Sequence, residues 1–193
     1  MGSVSARSRS LGKGRGMGRE RREGKEEQSM KVLIVGNGGR EHALAWKIAS
    51  SALVGEGELY VTRPNPGIAG LARAVDISPT DVEGLVSFVG DERIDLTVVG
   101  PEAPLALGLA DALRADGFSV VGPGEAGAQL ESSKVFSKDF MLRHKIPTAA
   151  ARSFDDQRAA TEWLDKACYP MVMKADGLAA GKGVFVCPTL PEA

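Results

Sequence analysis

Cysteine is scarce in this sequence, and so are long apolar runs. The 193 residues include two cysteines, Cys168 and Cys187, which form neither a disulfide framework nor a metal-ligand spacing. Both lie beside apolar runs, so we expect buried thiols in a reducing compartment. No uninterrupted apolar stretch approaches the roughly 18 residues of a membrane helix. We therefore expect a cytoplasmic protein without a membrane partner.

The sequence also lacks a strong excess of charge of either sign. The formal net charge is −1, and the contents of 43% hydrophobic and 25% charged residues are ordinary for a globular protein. Residues 1–29 carry eight Lys/Arg and four Glu, whereas the remainder carries 16 Lys/Arg and 21 Asp/Glu. The main body is therefore mildly acidic, which argues against nucleic acid as a partner.

The first 29 residues have almost no apolar residues and no periodicity, so they cannot bury a core. We predict a disordered basic tail over residues 1–29. A nucleic-acid-binding arm and an organelle transit peptide are alternatives, although four glutamates disfavour the second. We favour a third interpretation, in which Met30 is the translation start, because a strand begins immediately there.

From Met30 to Glu125, short apolar strands alternate with helical patterns. The predicted strands are Lys31–Val35, Leu59–Val61, Ala74–Ile77, Ile94–Val99 and Phe118–Val121. The predicted helices are Glu41–Ser50, a helix capped by Asp81 that runs to about Gly90, and Pro104–Ala115. This alternation predicts an α/β fold with a parallel sheet covered by helices on both faces. Ligands of such sheets bind at the carboxyl ends of the strands.

A second unit follows. A helical linker is predicted over Ala126–His144, and it includes Lys134 and Lys138. Ala149–Ser153, a helix over Asp156–Ala167 and a hairpin come next. Only about 45 residues follow Pro147, too few for an independent core of this type. We interpret the second unit as incomplete and the sequence as an amino-terminal fragment of a longer protein.

The most informative segment is Lys174–Gly183, KADGLAAGKG. Apolar runs at 171–173 and 184–186 flank it, which predicts strand, glycine-rich loop, strand. Glycines let the backbone approach an anion, and successive N–H groups then form an anion-binding concavity. Lys174 and Lys182 add positive charge. The sequence therefore predicts a loop for nucleotide phosphates, with a flexible hairpin carrying two solvated lysines as the alternative.

This loop is not a P-loop. That motif places four residues between its glycines and continues into a helix, whereas three residues separate Gly177 from Gly181 and a strand follows. Asp176 within the loop either caps a turn or orients Lys174, and the sequence does not distinguish these roles.

Two loops of the predicted sheet carry further candidates. In GNGGREH, Glu41 occupies the sixth position of the dinucleotide fingerprint, where glycine is required, so the indication of NAD is weak. The helix N-terminus behind Gly39, with Arg40 beside it, suits a phosphate, although a tight strand–helix turn explains the motif equally well. In VGPE, Glu102 either pairs with a substrate amine or caps the following helix. His42 could act as a base or a ligand, but a single histidine at the start of a helix more often has a structural role.

Four segments together resemble one family. They are MKVLIVGNGGREHALAWKIASS, IDLTVVGPEAPLALGLADAL, VVGPGEAGAQLESSKVFSKDFMLRHKIPTA and MVMKADGLAAGKGVFV. In this order they resemble the amino-terminal part of the glycinamide ribonucleotide synthetases, also called phosphoribosylamine–glycine ligases, of the ATP-grasp superfamily. The resemblance runs from Met30 to Ala193. It implies a Rossmann-like substrate domain (the pre-ATP-grasp domain) at 30–130 and the first subdomain of a truncated ATP-grasp domain at 131–193.

The family implies ligation of glycine to 5-phosphoribosylamine with ATP and Mg²⁺ or Mn²⁺, the second step of purine biosynthesis. Glycine carboxylate attacks the γ-phosphate, and the amine then attacks the resulting glycyl phosphate. By resemblance, the residues facing ATP are Lys134, Lys174, Asp176, Gly177, Gly181, Lys182 and Gly183. By the same analogy, those facing phosphoribosylamine are Gly38, Gly39, Arg40, Glu41, Gly100, Pro101 and Glu102.

The resemblance assigns no catalytic residue and no metal ligand to this sequence, because the family's Mg²⁺ ligands lie in the second half of the ATP-grasp fold. We therefore expect the fragment to be inactive alone. One loop departs from the family: a PGN-like run usually follows the second strand, whereas RPNPGIAG stands here, with Ile68 in place of Asn. Another ATP-grasp carboxylate–amine ligase, a carboxylase subunit with the same domain order and a non-catalytic phosphate-binding module are the alternative interpretations.

Overall fold

The computed structural model of the chain describes residues 29–179 and 181–193. The tail predicted for residues 1–29 therefore lies, except for its last residue, outside the described residues. The first unit contains β1 (Met30–Val35), α1 (Gly39–Ala49), β2 (Val54–Thr62), β3 (Arg73–Val75), α2 (Val82–Asp91), β4 (Leu96–Val99), α3 (Glu102–Ala106), α4 (Leu109–Ala115) and β5 (Val120–Val121).

The five strands form one sheet in the order β3-β2-β1-β4-β5, and every pair is parallel. β1 lies at the centre, where Ile34 pairs with Val61 of β2 and with Val98 of β4. The chain runs outward to one edge through β2 and β3 and then crosses over to β4 and β5. The predicted α/β fold with a parallel sheet is confirmed.

Both faces of the sheet are buried, because successive side chains of a strand point to opposite sides. Leu33 and Val35 of β1 pack on one face with Leu85 of α2 and Leu113 of α4. Val32 and Ile34 pack on the other face with Ala45 of α1. A strand buried on both faces has a continuous apolar sequence, and β1 reads MKVLIV for this reason.

The predicted helix Pro104–Ala115 is interrupted. It consists of α3 and α4, separated at Leu107 and Gly108. Gly108 has φ +80°, a left-handed conformation that glycine adopts without the steric cost of a Cβ atom. The apolar periodicity continues across the break, since Leu105 and Leu109 are both buried, and it therefore concealed the break in the sequence.

The second unit contains α5 (Glu125–Ser132), α6 (Lys134–Arg143), α7 (Gln157–Leu164), β6 (Met171–Lys174), β7 (Val184–Cys187) and a 3₁₀ turn, Leu190–Glu192. The predicted helix Ala126–His144 is likewise divided, at Ser133, whose backbone is extended with φ −127° and ψ 118°. The Ser133 hydroxyl accepts a hydrogen bond from Phe136 N at 3.1 Å and so caps α6. Ala149–Ser153 forms no helix or strand.

β6 and β7 form the predicted hairpin, an antiparallel pair in which Lys174 is opposite Val184. Much of this hairpin is exposed: Phe185 and Val186 of β7 are 61% and 70% accessible. Lys174, at the end of β6, is exposed as well. Val172 of β6 is also exposed.

The cysteine prediction is confirmed for one residue and wrong for the other. Cys187 is buried at the end of β7, whereas Cys168 is exposed in the loop between α7 and β6. Within the described residues, no helix is long and apolar enough to cross a membrane.

Candidate functional site

A buried carboxylate organises the carboxyl edge of the sheet. Glu41, in the first turn of α1, is 3% accessible, and its Oε2 accepts a hydrogen bond from Gly38 N at 2.6 Å. This contact is the glutamate half of a capping box at the start of α1, in which a third-position glutamate reaches back to the backbone N–H of the N-cap residue. The carboxylate thereby fixes the loop between β1 and α1.

Glycines at the ends of β1 and β4 make room for this side chain. A Cβ atom at Gly36 or at Gly100 would overlap Glu41, and Gly36 also has φ +115°. The backbone N–H of Gly36 donates to the buried Thr62 hydroxyl at 2.7 Å. The ends of β1, β2 and β4 are therefore held around one carboxylate. This burial was not predicted from the sequence, although the glycines that end both strands were a signal for a side chain between them.

Arg40 links the loops that follow β1 and β4. Its Nε donates to Glu41 Oε1 at 3.0 Å, and its guanidinium lies 3.6 Å from Glu102 Oε2. Glu102 is the first residue of α3 and follows Gly100 and Pro101 directly. The Arg40 side chain remains 56% accessible. A guanidinium that faces solvent here can accept a phosphate or carboxylate, and the flanking carboxylates can accept hydrogen bonds from hydroxyls or an amine.

The loop after β2 is fastened to the loop after β1. The Asn65 amide nitrogen donates to the Asn37 carbonyl at 2.8 Å, while its Oδ1 accepts from Gly67 N at 2.9 Å. A Cβ atom at Gly67 would overlap the His42 ring, so His42 packs against this loop. Ile68 is fully buried in the core beside α1. Ile68 therefore provides core packing in this loop, and Asn65 provides the polar link.

A second cluster joins α6 to the glycine loop. Lys134 Nζ donates to the Gly177 carbonyl at 2.8 Å. In the opposite direction, Asp176 Oδ1 accepts from Lys134 N at 2.6 Å and from Val135 N at 3.3 Å. The Ser133 hydroxyl donates to Asp176 Oδ2 at 3.1 Å. Segments about forty residues apart are thus held by several hydrogen bonds.

These contacts lower the pKa of Asp176. Desolvation acts on this carboxyl and raises its pKa, but hydrogen bonds donated by the backbone of Val135, Gly177 and Lys134 and by the Ser133 hydroxyl favour the charged form. The net result is a pKa below the ordinary value. Asp176 is therefore ionised at neutral pH, and its charge suits the positive end of the α6 dipole.

The glycine loop begins with a hydrogen bond that extends the hairpin, and two of its glycines have left-handed backbone conformations. Ala175 N donates to the Gly183 carbonyl at 2.8 Å, continuing the β6–β7 pairing into the loop. Gly177 and Gly181 have φ +80° and +77°. Among the described residues, the ammonium groups of Lys174 and Lys182 have neither a hydrogen-bond nor an ion-pair partner. Two exposed cations therefore flank a glycine-rich backbone, an arrangement that suits an anion.

The structure thus brings the candidate residues into two groups. Gly38, Arg40, Glu41, Gly100, Pro101 and Glu102 meet at the sheet edge, with Gly39 exposed beside them. Lys134, Asp176 and Gly177 meet at the start of α6, while Lys174, Gly181, Lys182 and Gly183 lie on or beside the same loop. In the part of the chain that the structure describes, no group of three or more His, Cys, Asp or Glu side chains is arranged to hold a metal ion.

The sheet order and the hairpin with its glycine loop together define the fold class of the chain. N5-carboxyaminoimidazole ribonucleotide synthetase from Thermotoga maritima shares this fold, with a TM-score of 0.60 at 20% identity over 85% of this chain and 43% of its own. The biotin carboxylase domain of Hydrogenobacter thermophilus 2-oxoglutarate carboxylase also shares it, with a TM-score of 0.66 at 18% identity over 86% of this chain and 39% of its own. The chain therefore shares with these two proteins an α/β fold in which a Rossmann-like parallel sheet is followed by a second unit.

Two sequence models of one family match adjacent parts of the chain. The N domain of phosphoribosylglycinamide synthetase matches residues 30–131, and its ATP-grasp (A) domain matches residues 132–193. The chain belongs to the phosphoribosylglycinamide synthetase family. This confirms the resemblance drawn from the four sequence segments.

Named relatives agree with this family. Phosphoribosylamine–glycine ligases from Salmonella typhi and Escherichia coli are 54% and 53% identical over alignments 169 residues long, and each alignment covers 85% of this chain and 38% of the relative. The crystal structure of the Thermotoga maritima ligase has a TM-score of 0.66 at 28% identity, over 83% of this chain and 37% of its own. The chain thus spans well under half the length of the relatives that it matches.

Proposed function

We propose that this chain provides the substrate-binding domain and part of the ATP site of a phosphoribosylamine–glycine ligase. Residues 30–130 form the substrate domain in this proposal, and residues 131–193 form the first part of the ATP-grasp domain. The reaction is ATP + glycine + 5-phosphoribosylamine giving glycinamide ribonucleotide, ADP and phosphate. Glycine and phosphoribosylamine are the partners, and ATP with a divalent cation is the cofactor.

The observation that carries the ATP site is the 2.8 Å hydrogen bond from Lys134 Nζ to the Gly177 carbonyl. It brings the lysine of α6 to the same loop that carries the exposed ammonium groups of Lys174 and Lys182. Three lysines are thereby associated with one glycine-rich loop. Phosphoryl transfer requires positioning and neutralisation of phosphate charge rather than covalent participation of the protein, and this arrangement supplies both.

The sheet edge supplies the second substrate site. The exposed Arg40 guanidinium suits the 5-phosphate of phosphoribosylamine, since arginine pairs with phosphate through two parallel N–H groups. Glu102, only 3.6 Å from Arg40, accepts hydrogen bonds from ribose hydroxyls or the amine. Glu41 keeps the loop in place from its buried position. Gly38, Gly39, Gly100 and Pro101 form the backbone wall of this site.

The chemistry has two displacements. A glycine carboxylate oxygen attacks the γ-phosphorus and ADP leaves, which yields glycyl phosphate. The amine nitrogen of phosphoribosylamine then attacks the glycyl carbonyl carbon, phosphate leaves, and the nitrogen loses a proton. A divalent cation would neutralise the phosphates of ATP. The described residues hold no carboxylate cluster for it, so we assign it no ligand in this chain.

A hybrid enzyme tests the proposal. In the Escherichia coli relative, the segment that aligns with residues 30–193 is replaced by residues 30–193 of this chain. We expect ADP release that requires both glycine and phosphoribosylamine, with the unaltered relative as the reference. A matched hybrid carrying Glu102→Ala should have a raised KM for phosphoribosylamine and an unchanged KM for ATP. A folded hybrid that releases no ADP, or that releases it with a different amine only, would contradict the proposal.

A further inference from the structure

The start of α6 receives a carboxylate from a distant segment of the chain, whereas α2 and α7 are each capped by a neighbouring aspartate. Asp81 caps α2 by accepting from Gly84 N, and Asp156 caps α7 by accepting from Ala159 N. Each of these carboxylates lies three residues before its donor. Asp176, by contrast, lies more than forty residues after the α6 amides that donate to it. Its carboxylate therefore joins two segments in addition to capping a helix.

The contact is reciprocal. Lys134 gives its backbone N–H to Asp176 and its side-chain ammonium to the carbonyl of Gly177, the next residue of the loop. Ser133 reinforces the junction, because its hydroxyl donates to Asp176 and accepts from Phe136 N. Ser133 has the extended backbone of an N-cap residue and divides the long predicted helix. The division between α5 and α6 therefore coincides with the junction with the loop.

We propose that Asp176 is a positioning residue that fixes Lys134 and the glycine loop as one unit. This inference rests on the proposed function, in which Lys134 and the loop both face the phosphates of ATP. Because the carboxylate occupies the α6 N-terminus, that helix end does not bind phosphate itself. The phosphates are bound by the loop backbone and the lysine ammonium groups, whose separation Asp176 sets.

The first experiment measures the junction without nucleotide. Amide hydrogen exchange of the 193-residue chain is compared with that of Asp176→Ala and of the matched control Asp156→Ala. Asp176→Ala should accelerate exchange by about tenfold or more both in residues 134–137 and in the loop beyond Gly177, since a net hydrogen-bond contribution of about 1.4 kcal/mol corresponds to tenfold. Asp156→Ala, which also removes a helix cap, should accelerate exchange in α7 only.

The second experiment measures the consequence in the hybrid enzyme described above. Asp176→Ala should raise the KM for ATP on the order of tenfold and leave the KM for glycine unchanged. Asp176→Asn should restore most of the affinity, because its amide oxygen still accepts from Lys134 N. Asp156→Ala should leave both constants unchanged, since it touches neither Lys134 nor the loop.

The outcomes separate this inference from the proposed function. A loop whose exchange is unaffected by Asp176→Ala overturns the inference, as does an unchanged KM for ATP in an active hybrid. Equal effects of Asp156→Ala and Asp176→Ala on the KM for ATP also overturn it, because general destabilisation would then explain the result. A parent hybrid without ATP-dependent turnover overturns the proposed function and with it the role toward ATP, while the exchange measurement still decides whether Asp176 joins the two segments.

Discussion

The carboxylate of Glu41 lies so close to Gly100 that a Cβ atom at that glycine would overlap Oε1. Glu41 lies in the first turn of α1, whereas Gly100 lies in the loop after β4. Their contact places a buried carboxyl group between the ends of neighbouring parallel strands. The carboxyl edge of the sheet is therefore held by a specific side chain, and its shape depends on the absence of a side chain at Gly100.

Gly100→Ala should destabilise the fold. The added methyl group must displace a buried and hydrogen-bonded carboxylate, and overpacking of this kind costs about 1–3 kcal/mol. The free energy of unfolding is measured by urea denaturation. Gly70→Ala is the matched control, because a Cβ atom at Gly70 meets nothing within 4 Å. Equal stabilities of the two variants would contradict the close contact.

Ile68→Ala should also be destabilising, by about 2–5 kcal/mol, because it leaves a cavity in a fully buried site. Leu53→Ala removes a similar side chain that is 61% accessible and should cost far less. Urea denaturation of both variants checks the expectation. A small effect at Ile68 would mean that this residue does not contribute to the packing of the core.

The two cysteines should differ in reactivity. Cys168 is exposed and Cys187 is buried, so a thiol reagent should label one cysteine rapidly in the native chain and both in denaturant. The Cys168→Ser variant should lose the rapid phase, whereas Cys187→Ser should retain it. Rapid labelling of two thiols in the native protein would show that β7 is not packed at Cys187.

The alternation of strands and helices could be predicted from the sequence because it follows from local apolar patterns. Asp81 could be identified as a cap because its carboxylate accepts a hydrogen bond from an amide only three residues away. The breaks at Gly108 and Ser133 were missed for a physical reason. Apolar periodicity continues through Gly108, and the extended conformation of Ser133 accompanies a contact with Asp176, far along the chain.

The candidate site, like the fold, could be predicted from the sequence only where it depends on local patterns. Glycine spacing and lysine placement identified the loop around Gly177 as a phosphate candidate. The partners of Asp176 were not predictable, since nothing in KADGLAAGKG indicates that its carboxylate receives the amides of Lys134 and Val135. The burial of Glu41 similarly depends on how β1 and β4 lie side by side. Both relationships come from tertiary packing.

The pH dependence of stability should reflect Asp176. Its pKa in the folded chain lies below the ordinary value of 3.8, so the folded state favours the charged carboxylate. The associated stabilisation is fully present above that ordinary value and is lost as the pH falls through the lower folded pKa. The free energy of unfolding should therefore differ most between the natural chain and Asp176→Asn at neutral pH, and the difference should shrink in acid. A difference that grows on acidification would contradict a lowered pKa.

Lys174→Ala in the hybrid enzyme should sharply weaken the use of ATP. The Lys174 ammonium is exposed beside the glycine loop, and loss of one charge-assisted contact to phosphate costs on the order of 1.5–3 kcal/mol, or about 10- to 150-fold in kcat/KM for ATP. Lys47→Ala removes another exposed lysine, in the last turn of α1 and far in sequence from the loop, and should change kcat/KM by less than about twofold. Steady-state ADP release at varied ATP concentration measures both variants.

Because Lys174 is exposed and unpaired among the described residues, its removal should leave the free energy of unfolding almost unchanged. A loss of ATP use accompanied by an equal loss of stability would indicate a structural role, and unchanged kcat/KM would remove Lys174 from the ATP site.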